Sequence, residues 1–263
     1  MLSEYGRQEA ADALAAAEQG RLPIPPLRET YPALDVVDAY EIQLLNIRRR
    51  LAGGATIHGH KVGLSSKAMQ DMMGVDEPDY GHLLSDMQLN EFAPIKASAY
   101  CYPRVEVEVA FVLGATLPGA GCTEADVLAA TASVAPAIEL IDSRIRDWDI
   151  RIADTIADNA SSAGYAVGEG GLKPSDVDLR NINAELFRNG EKVAEGRSDA
   201  VLGNPVTAVA WLARKVAEFG VTLEAGHVIL PGSVHRAIDV RPGDTFEAFF
   251  DVFHDGMVTL EFV

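Results

Sequence analysis

Cysteine is scarce in this 263-residue chain, which contains only Cys101 and Cys122. Two cysteines do not imply a disulfide framework, and their small number favours a reducing compartment. A lone thiol is more often a small packing residue than a nucleophile. The sequence therefore predicts a cytoplasmic protein in which neither cysteine carries the chemistry.

Long apolar runs and basic clusters are also missing. The start, "MLSEYGRQEA", lacks the basic residues and apolar core of a signal peptide, and no apolar run approaches membrane-spanning length. Lysine and arginine number 22 against 39 acidic residues, which gives a formal net charge of −17. Such a chain is repelled by nucleic acids and by anionic membranes, so we expect neither as a partner.

No glycine-rich phosphate loop follows a predicted strand, which argues against a nucleotide-binding doubly wound fold. Helices are interspersed irregularly among the strands, and 48% of the residues are hydrophobic, enough for a sizeable core. The pattern favours an α+β fold with a rolled mixed β-sheet. We expect residues 1–54 to form a helical segment packed on a β-roll body of residues 55–263.

Capping residues predict several helices and turns. One helix ends at Gly20, a second begins after Asp35, and a third begins after Asn204. Thr123 is predicted to cap a helix over "TEADVLAATASV", and the Asn189-Gly190 pair suits a hairpin with a type I′ turn.

The region after residue 55 shows mixed signals. "ATIHGHKVGLS" is typical of a strand, "SKAMQDMMG" of a short helix, and "APAIELID" of a buried strand. "DEPDYGHLL", residues 76–84, is interpreted as a loop.

The segment "PRVEVEVAFVLG", residues 103–114, predicts a half-buried strand that carries Glu106 and Glu108 on one face. Residues two apart on a strand are roughly 6.5 to 7 Å apart, where two carboxylates repel by about 2 kcal/mol at an effective dielectric constant of about 20. Exposure to solvent, or pairing with Arg104, would relieve that repulsion without any function.

A third acid, Glu139, lies inside the apolar segment "SVAPAIELIDSR". An unpaired charge there would cost several kcal/mol. Three inward acids without an adjacent His or Cys indicate an oxygen-rich site for a hard cation, Mg²⁺ or Mn²⁺. Three protein oxygens leave about half of an octahedral shell for water and substrate.

Lys61 shares a strand face with Gly59 and Gly63, whose missing side chains leave a hollow around the ammonium. It could be a surface lysine on an edge strand, or a proton donor and acceptor whose pKa depends on burial and nearby charge. His58 and His60 form a His-x-His pair, but no third ligand has a suggestive spacing, so zinc is not favoured.

Several long motifs occur in a fixed order, namely "GHKVGLSSKAMQDMMGVDEPDYGHL", "YPRVEVEVAFVL", "APAIELIDSRIRDW" and "DTIADNASS". Over nearly the whole chain they resemble the 2-keto-4-pentenoate hydratase (2-hydroxypenta-2,4-dienoate hydratase) family of the fumarylacetoacetate hydrolase superfamily. The likeness is strongest to the hydratases of steroid and aromatic meta-cleavage pathways. It implies a rolled mixed sheet with N-terminal helices, an Mg²⁺ or Mn²⁺ requirement, and a homo-oligomer built from pentamers.

The resemblance also implies roles for individual residues. The metal ligands of the family fall on Glu106, Glu108 and Glu139, and its active-site lysine falls on Lys61. Two further positions follow from the motifs.

The acid of "EPDYG" falls on Asp79, and the polar loop that contacts substrate falls on Ser161 and Asn159. Without the family, Asp79 could organise a turn after Pro78, and "DNASS" could be a helix-ending loop. The C-terminus departs from the family, because His254 and Asp255 stand where small residues are expected.

The implied reaction adds water to a 2-hydroxy-2,4-dienoate and gives a 4-hydroxy-2-oxo acid. Lys61 and Asp79 would handle protons and water, while Ser161 would help to seat the carboxylate. A downstream aldolase could dock to receive the product. Three alternatives stay open: a 2-oxo-3-enedioate decarboxylase of the 4-oxalocrotonate type, a carbon–carbon bond hydrolase, and a non-catalytic metal-stabilised subunit of a partner enzyme.

Overall fold

A computed structural model describes residues 1–253 and 256–263 of the chain, apart from the side chains of residues 72 and 73. Helices are found at α1 (Glu4–Gly20), α2 (Leu27–Thr30), α3 (Val36–Ala52), α4 (Lys67–Met73), α5 (Glu124–Ala130), α6 (Ile152–Ala157) and α7 (Pro205–Ala217). Strands are found at β1 (Ile57–Gly63), β2 (Asp79–Leu84), β3 (Arg104–Leu113), β4 (Thr131–Ile141), β5 (Ser162–Val167), β6 (Asn183–Arg188), β7 (Glu191–Arg197), β8 (Val228–Leu230), β9 (Ile238–Asp239), β10 (Thr245–Phe250) and β11 (Val258–Glu261).

Two sheets organise these strands. The larger has the order β2-β1-β8-β3-β4-β5, with β9 paired to β3, and the smaller has the order β11-β10-β6-β7. The pair β1 and β8 is parallel, whereas β1 with β2 and β3 with β4 are antiparallel. The α+β fold with a rolled mixed sheet is therefore confirmed.

Side-chain caps fix the helix starts as the sequence predicts. The Asp35 carboxylate accepts a hydrogen bond from the backbone N–H of Asp38 at 2.9 Å, and the Asn204 side chain accepts one from Val206 N–H at 3.1 Å. Asn189 and Gly190 have φ values of 55° and 81°, the two positive values that a type I′ turn requires. These helices and the β6–β7 hairpin are confirmed.

Two local predictions are wrong. Residues 79–84 form strand β2 rather than a loop, because the segment pairs along its whole length with β1. The helix capped by Thr123 ends at Ala130, and Thr131 already begins β4. In both places long-range strand pairing overrides local turn or helix propensity.

Strand β3 lies in the interior of the larger sheet and is buried on both faces, not on one. Val105, Val107 and Phe111 are fully buried on the core face. Glu106 and Glu108 lie on the other face, where 8% and 0% of their surface is exposed. Solvent exposure therefore does not explain the two glutamates.

The N-terminal helices share the main core with the sheet. Ala10 and Leu14 of α1 and Tyr40 and Ile42 of α3 belong to the same cluster of buried side chains as the β3 valines. The division of the chain into a helical segment of residues 1–54 and a β-roll body of residues 55–263 stays a prediction. No helix in the described part of the chain is long and apolar enough to span a bilayer. His254 and Asp255 lie outside the described residues.

Candidate active site

The three predicted acidic ligands meet on adjacent strands. Glu106 of β3 lies directly opposite Glu139 of β4 in the antiparallel register, and Glu108 follows two residues later on the same face. One carboxylate oxygen from each lies within 4.8 Å of the others, and all three residues are buried. Strand register brings together acids that are 31 to 33 positions apart.

Three of these six carboxylate oxygens have no hydrogen-bond partner in the part of the chain that the structure describes. Glu108 Oε2 accepts a hydrogen bond from Gly232 N–H at 2.7 Å, but Glu108 Oε1 and both Glu139 oxygens have no hydrogen-bond partner among the described residues. Burial raises the pKa of Glu106 to about 7 and, with Glu139 adding repulsion, raises that of Glu108 well above its usual range. A buried acid cluster without donors is costly unless a cation balances it.

The donor set fits a hard divalent ion. Only carboxylate oxygens converge, and Mg²⁺, Mn²⁺ and Ca²⁺ prefer oxygen ligands over nitrogen or sulfur. The unpaired oxygens of Glu108 and Glu139 are the ones a cation would use. We conclude that Glu106, Glu108 and Glu139 can hold a divalent metal ion.

Lys61 projects from β1 into the same region and is buried. Its Nζ lies 3.3 Å from Glu139 Oε2 and donates a hydrogen bond to the Ala160 carbonyl at 3.0 Å. Burial lowers the pKa of the ammonium, but the surrounding carboxylates, Glu139 first, raise it by more, so the net shift is upward. The surface-lysine interpretation is therefore excluded.

Two glycines make room for Lys61 and Asp79. The sequence predicts Gly59 and Gly63 for this role, whereas the structure has Gly63 and Gly81. A Cβ on Gly63 would lie 2.2 Å from Asp79 Oδ1, and a Cβ on Gly81, which faces Lys61 across the ladder, would lie 2.3 Å from the Asn159 carbonyl oxygen. A Cβ on Gly59 would instead meet the Val228 carbonyl at 1.8 Å. Gly63 and Gly81 open the site, whereas Gly59 permits close approach of β8.

Asp79 begins β2 and pairs with Gly63 of β1. Its side chain is buried, and neither carboxylate oxygen has a hydrogen-bond partner among the described residues. Burial raises the pKa of Asp79 to about 6, against the opposing attraction of Lys61. The turn-organising alternative does not apply, because Asp79 stands in a strand with its carboxyl group beside the lysine.

The segment Asn159–Ser161 forms a left-handed turn, with φ values of 54°, 50° and 58° at three consecutive residues that are not glycine. The Asn159 amide fixes this turn to β2, because its Oδ1 accepts from His82 N–H at 2.8 Å and its Nδ2 donates to the His82 carbonyl at 3.0 Å. The turn aims the Ala160 carbonyl at Lys61. Strained backbone of this kind persists only where its surroundings over-determine it.

The Ser161 hydroxyl lies 3.4 Å from the Thr155 hydroxyl, and both residues line the active-site cavity. Sequence reasoning missed Thr155 and the Ala160 carbonyl. A backbone acceptor carries no residue-type signal, and Thr155 is one threonine within a helical segment. Ser161 is thus brought to the site, while the Asn159 side chain is occupied by the backbone of β2.

A buried ion pair supports the turn from below. Arg144 Nε donates to Asp158 Oδ1 at 2.5 Å, Nη2 donates to the Asp158 carbonyl at 2.5 Å, and Nη1 donates to the Ser162 carbonyl at 3.3 Å. Burial lowers the pKa of Arg144, but the Asp158 carboxylate raises it by more. The charges of this pair balance each other, whereas the three glutamates have one ammonium group, that of Lys61, in contact with one of them.

A cavity of about 950 Å³ opens onto the site. Lys61, Asp79, Glu106 and Ser161 line its wall, whereas Glu108 and Glu139 do not. A substrate in this cavity would meet the lysine, the aspartate and one of the three glutamates directly.

The histidines occupy other positions. His58 Nδ1 lies 2.9 Å from the Tyr165 hydroxyl, and His60 is buried with its ring centroid 4.7 Å from that of His82. His60 alternates with Lys61 along β1, so it faces away from the cavity. Of the His, Cys, Asp and Glu side chains that the structure describes, the three glutamates are the set that converges closely enough to ligate one ion.

The family model described as fumarylacetoacetate (FAA) hydrolase C-terminal matches residues 58–261. A 2-keto-4-pentenoate hydratase of Paraburkholderia xenovorans (strain LB400) is 44% identical over 92% of this chain and 90% of its own length. A 2-oxo-hept-4-ene-1,7-dioate hydratase of Escherichia coli is 42% identical over 100% of both chains.

Among solved structures, a 4-oxalocrotonate decarboxylase from Pseudomonas putida G7, complexed with magnesium and adipate, is 34% identical. It superimposes with a TM-score of 0.95 over 100% of this chain and 99% of its own. The fold, the acidic cluster and the sequence similarity agree. The chain therefore belongs to the fumarylacetoacetate hydrolase family, in which it is similar to proteins named 2-keto-4-pentenoate hydratase.

Proposed function

We propose that the protein is a metal-dependent hydro-lyase that adds water to a 2-hydroxy-2,4-dienoate and forms a 4-hydroxy-2-oxo acid. The observation that carries the proposal is one cavity that presents Lys61, Asp79 and Glu106, with Glu108 and Glu139 completing an oxygen site behind it. The relatives named as hydratases match nearly the whole chain at 42 to 44% identity.

Mg²⁺ or Mn²⁺ is the metal that we propose for the three glutamates. Such an ion supplies positive charge beside the 2-oxygen and the carboxylate of the substrate, which favours the 2-oxo tautomer. The three buried glutamates would fix its position. The decarboxylase relative was complexed with magnesium, which supports this choice.

Lys61 and Asp79 are the residues that we expect to move protons. Loss of the 2-hydroxyl proton and protonation at C5 convert the dienol into a 3-enone. Water then forms a C–O bond at C4 and gives one of its protons to a base, while C3 takes up a proton as the C3=C4 double bond is lost. Asp79, whose pKa is raised to about 6, is suited to accept and return a proton near neutral pH. Lys61, held in its charged form by the carboxylates, places positive charge beside the reacting oxygen.

Ser161 is proposed to seat the substrate carboxylate through its hydroxyl group at the cavity wall. Asn159 is proposed to act with it at the polar loop that contacts substrate. Its side chain pairs with the backbone of His82, so this contribution comes through the position of the loop.

The proposal extends to the setting of the enzyme. We infer a role in the degradation of aromatic or steroid rings, in the cytoplasm, as a homo-oligomer, either a pentamer or a decamer, to which a downstream aldolase could dock. The relatives support catabolism of small unsaturated oxo acids and leave the tail of the substrate open, because one relative is named for a monoacid and another for a dioate.

Turnover is tested by the ultraviolet absorbance of 2-hydroxypenta-2,4-dienoate incubated with the protein, with and without a chelator. We expect metal-dependent decay of the absorbance without release of carbon dioxide. Absence of decay with Mg²⁺ or Mn²⁺ present, for this and longer dienoates, would favour the non-catalytic subunit instead.

The decarboxylase alternative has support from the 34% identical relative. Incubation with 2-oxo-3-hexenedioate separates the two activities, because decarboxylation releases carbon dioxide and hydration does not. Carbon dioxide release at a rate above that of dienoate hydration would replace the proposed activity with the alternative.

Lys61→Ala tests the lysine. Because its Nζ lies beside the acid cluster without being one of the three oxygen ligands, we expect turnover to fall by about 10²- to 10⁴-fold while metal affinity is retained. Isothermal titration with Mn²⁺ and the absorbance assay measure the two effects separately. Full activity of this variant would remove Lys61 from the reaction.

A further inference from the structure

The cavity carries more positive charge than the proposed reaction requires. Besides Lys61, four arginines line it: Arg104, Arg188, Arg236 and Arg241. Four arginines on one cavity are unexpected in a chain of net charge −17. Together with Lys61 they exceed by two the acids that also line the cavity, Asp79, Glu106 and Asp239, and so make it attractive to an anion with more than one negative group.

Arg104 differs from the other three because the protein holds its guanidinium in place. Its Nε lies 2.7 Å from Asp239 Oδ1, and Asp239 is the residue directly opposite in the β3–β9 ladder. Its Cζ lies 4.4 Å from the ring centroid of Trp148, which places the guanidinium over the indole face. Arg188 is half-buried, and Arg236 and Arg241 are exposed.

Trp148 is itself fixed as a platform. The indole Nε1–H donates to the Tyr102 carbonyl at 3.2 Å, and Asp147 and Trp148 both have left-handed backbones, with φ values of 58° and 55°. Two consecutive left-handed residues that are not glycine are uncommon and are kept only where the surroundings enforce them. The strained backbone therefore includes the residue on which Arg104 is stacked.

The fixed guanidinium still has hydrogens to donate. Among the described residues, Asp239 is the acceptor that its side chain meets, and it takes the Nε–H. The four N–H groups on the two Nη atoms are left for another acceptor. A carboxylate fits here, because two parallel N–H groups of a guanidinium can donate to its two oxygens.

The distance from Arg104 to the acid cluster suits a long substrate. Arg104 and Glu106 lie two residues apart on the same face of β3, which corresponds to roughly 6.5 to 7 Å between their Cα atoms. A pentadienoate bound by its single carboxylate and 2-oxygen at the glutamates has no charged group to reach the arginine. A seven-carbon chain with a carboxylate at each end has a second charged group that can extend from the glutamates toward the arginine.

We propose that Arg104, stacked on Trp148 and anchored by Asp239, binds a second carboxylate at the far end of the substrate, so that the preferred substrate is a 2-hydroxy-2,4-diene-dioate rather than a monoacid. This inference rests on the proposed hydratase function and names its substrate class. The balance of the reaction is unchanged, because water still adds at C4 and the distal carboxylate takes no part in bond making.

The test compares kcat/KM for 2-hydroxyhepta-2,4-diene-1,7-dioate and 2-hydroxypenta-2,4-dienoate in the wild-type protein and in Arg104→Gln. A charge-assisted pair of hydrogen bonds predicts a preference of about 10- to 100-fold for the dioate, mainly through KM. In Arg104→Gln this preference should vanish, while kcat/KM for the monoacid is retained. Arg188→Gln is the matched control, since it removes the same charge from the same cavity and should keep the preference.

Three outcomes would overturn the inference: equal use of both substrates by the wild-type protein, equal losses for both substrates in Arg104→Gln, or loss of the preference in Arg188→Gln. Equal losses would mean that Arg104 only pairs β3 with β9 through Asp239.

A second measurement separates this inference from the proposed reaction. The dissociation constants of 2-oxoheptanedioate and 2-oxopentanoate are measured on the Mn²⁺-loaded protein, without any turnover. Tighter binding of the diacid that disappears in Arg104→Gln supports the arginine even if no dienoate is hydrated, in which case the hydratase assignment fails by itself. Equal binding of the two acids while the pentadienoate is hydrated rejects the arginine and leaves the hydratase intact.

Discussion

The protein buries ionisable side chains in two clusters, and the two clusters differ in how fully their oxygens are hydrogen-bonded. Beneath the left-handed turn, Arg144 and Asp158 are paired through side chain and backbone, with donor–acceptor distances of 2.5 to 2.9 Å. Under the cavity, Glu106, Glu108 and Glu139 converge within 4.8 Å, and three of their oxygens have no hydrogen-bond partner among the described residues.

The difference separates a structural cluster from a functional one. A buried pair that satisfies its own charges contributes to the geometry of its surroundings and needs nothing further. Three buried carboxyl groups beside a single ammonium group are destabilising and become favourable when a divalent cation arrives. Removal of a charge should therefore have opposite consequences in the two clusters.

Glu108→Gln gives the largest expected effect on metal affinity and turnover. The substitution removes one of three ligand charges at constant shape, so metal affinity should fall by about 100-fold or more, and turnover with it. Without metal, the free energy of unfolding should not fall, because burial and Glu139 raise the pKa of Glu108 well above its usual range and so disfavour its charged form. Wild-type protein at a metal concentration 100-fold above its Kd should gain about 2.7 kcal/mol of stability.

Urea unfolding with and without Mn²⁺ measures both quantities. The variant should gain about 0.4 kcal/mol or less on addition of metal at that concentration. A metal-induced gain equal to that of the wild type would mean that Glu108 is not a ligand.

Arg144→Met should show the reverse pattern. It leaves the buried Asp158 carboxylate without its partner, so the free energy of unfolding should fall by about 3 to 5 kcal/mol with or without metal. The increment that metal adds should be retained, since Arg144 contacts none of the three glutamates. The same urea titrations measure it, and loss of the metal increment would show that the two clusters are coupled.

Gly81→Ala probes the close contact between β2 and the turn. A Cβ at this position would lie 2.3 Å from the Asn159 carbonyl oxygen, a backbone atom that must move. We expect a loss of about 1 to 3 kcal/mol in stability and reduced turnover, because displacement of the turn withdraws the Ala160 carbonyl from Lys61. Gly121→Ala is the control, since nothing lies within 4 Å of its Cβ. Equal behaviour of the two variants would contradict the contact.

The pH dependence of the metal-free protein gives the most gradual effect. Burial raises the pKa of Glu106 from 4.5 to about 7, so between these values the folded state binds more protons than the unfolded state. Stability is therefore greatest at low pH and falls by about 1 kcal/mol per pH unit as pH rises through this window. Glu106→Gln should remove this contribution from the profile recorded with chelator present, and parallel profiles for the two proteins would contradict the assignment.

Much of the fold and the central site follow from local sequence. The caps at Asp35, Thr123 and Asn204 set helix starts, and the alternation along residues 104–113 places Glu106 and Glu108 on one face. Glu139 is conspicuous because a charge inside an apolar strand needs an explanation. These signals are local, and the structure agrees with each of them.

What local sequence does not reveal depends on long-range pairing. Residues 79–84 contain turn formers next to Pro78, yet β1 recruits them as a strand and so places Asp79 opposite Gly63. The contacts of Lys61 with the Ala160 carbonyl, and of the Asn159 amide with His82, join segments 77 to 99 residues apart. The sequence suggests Arg104 only as a possible ion-pair partner for the glutamates, whereas the β3–β9 register pairs it with Asp239.

The central claim is that Glu106, Glu108 and Glu139 together bind one divalent ion beside Lys61. Anomalous diffraction from a crystal grown with Mn²⁺ tests it most directly. We predict one strong peak per chain within ligand distance of all three carboxylates. An ion bound elsewhere with this position vacant, or the three side chains turned away from one another, would contradict the account.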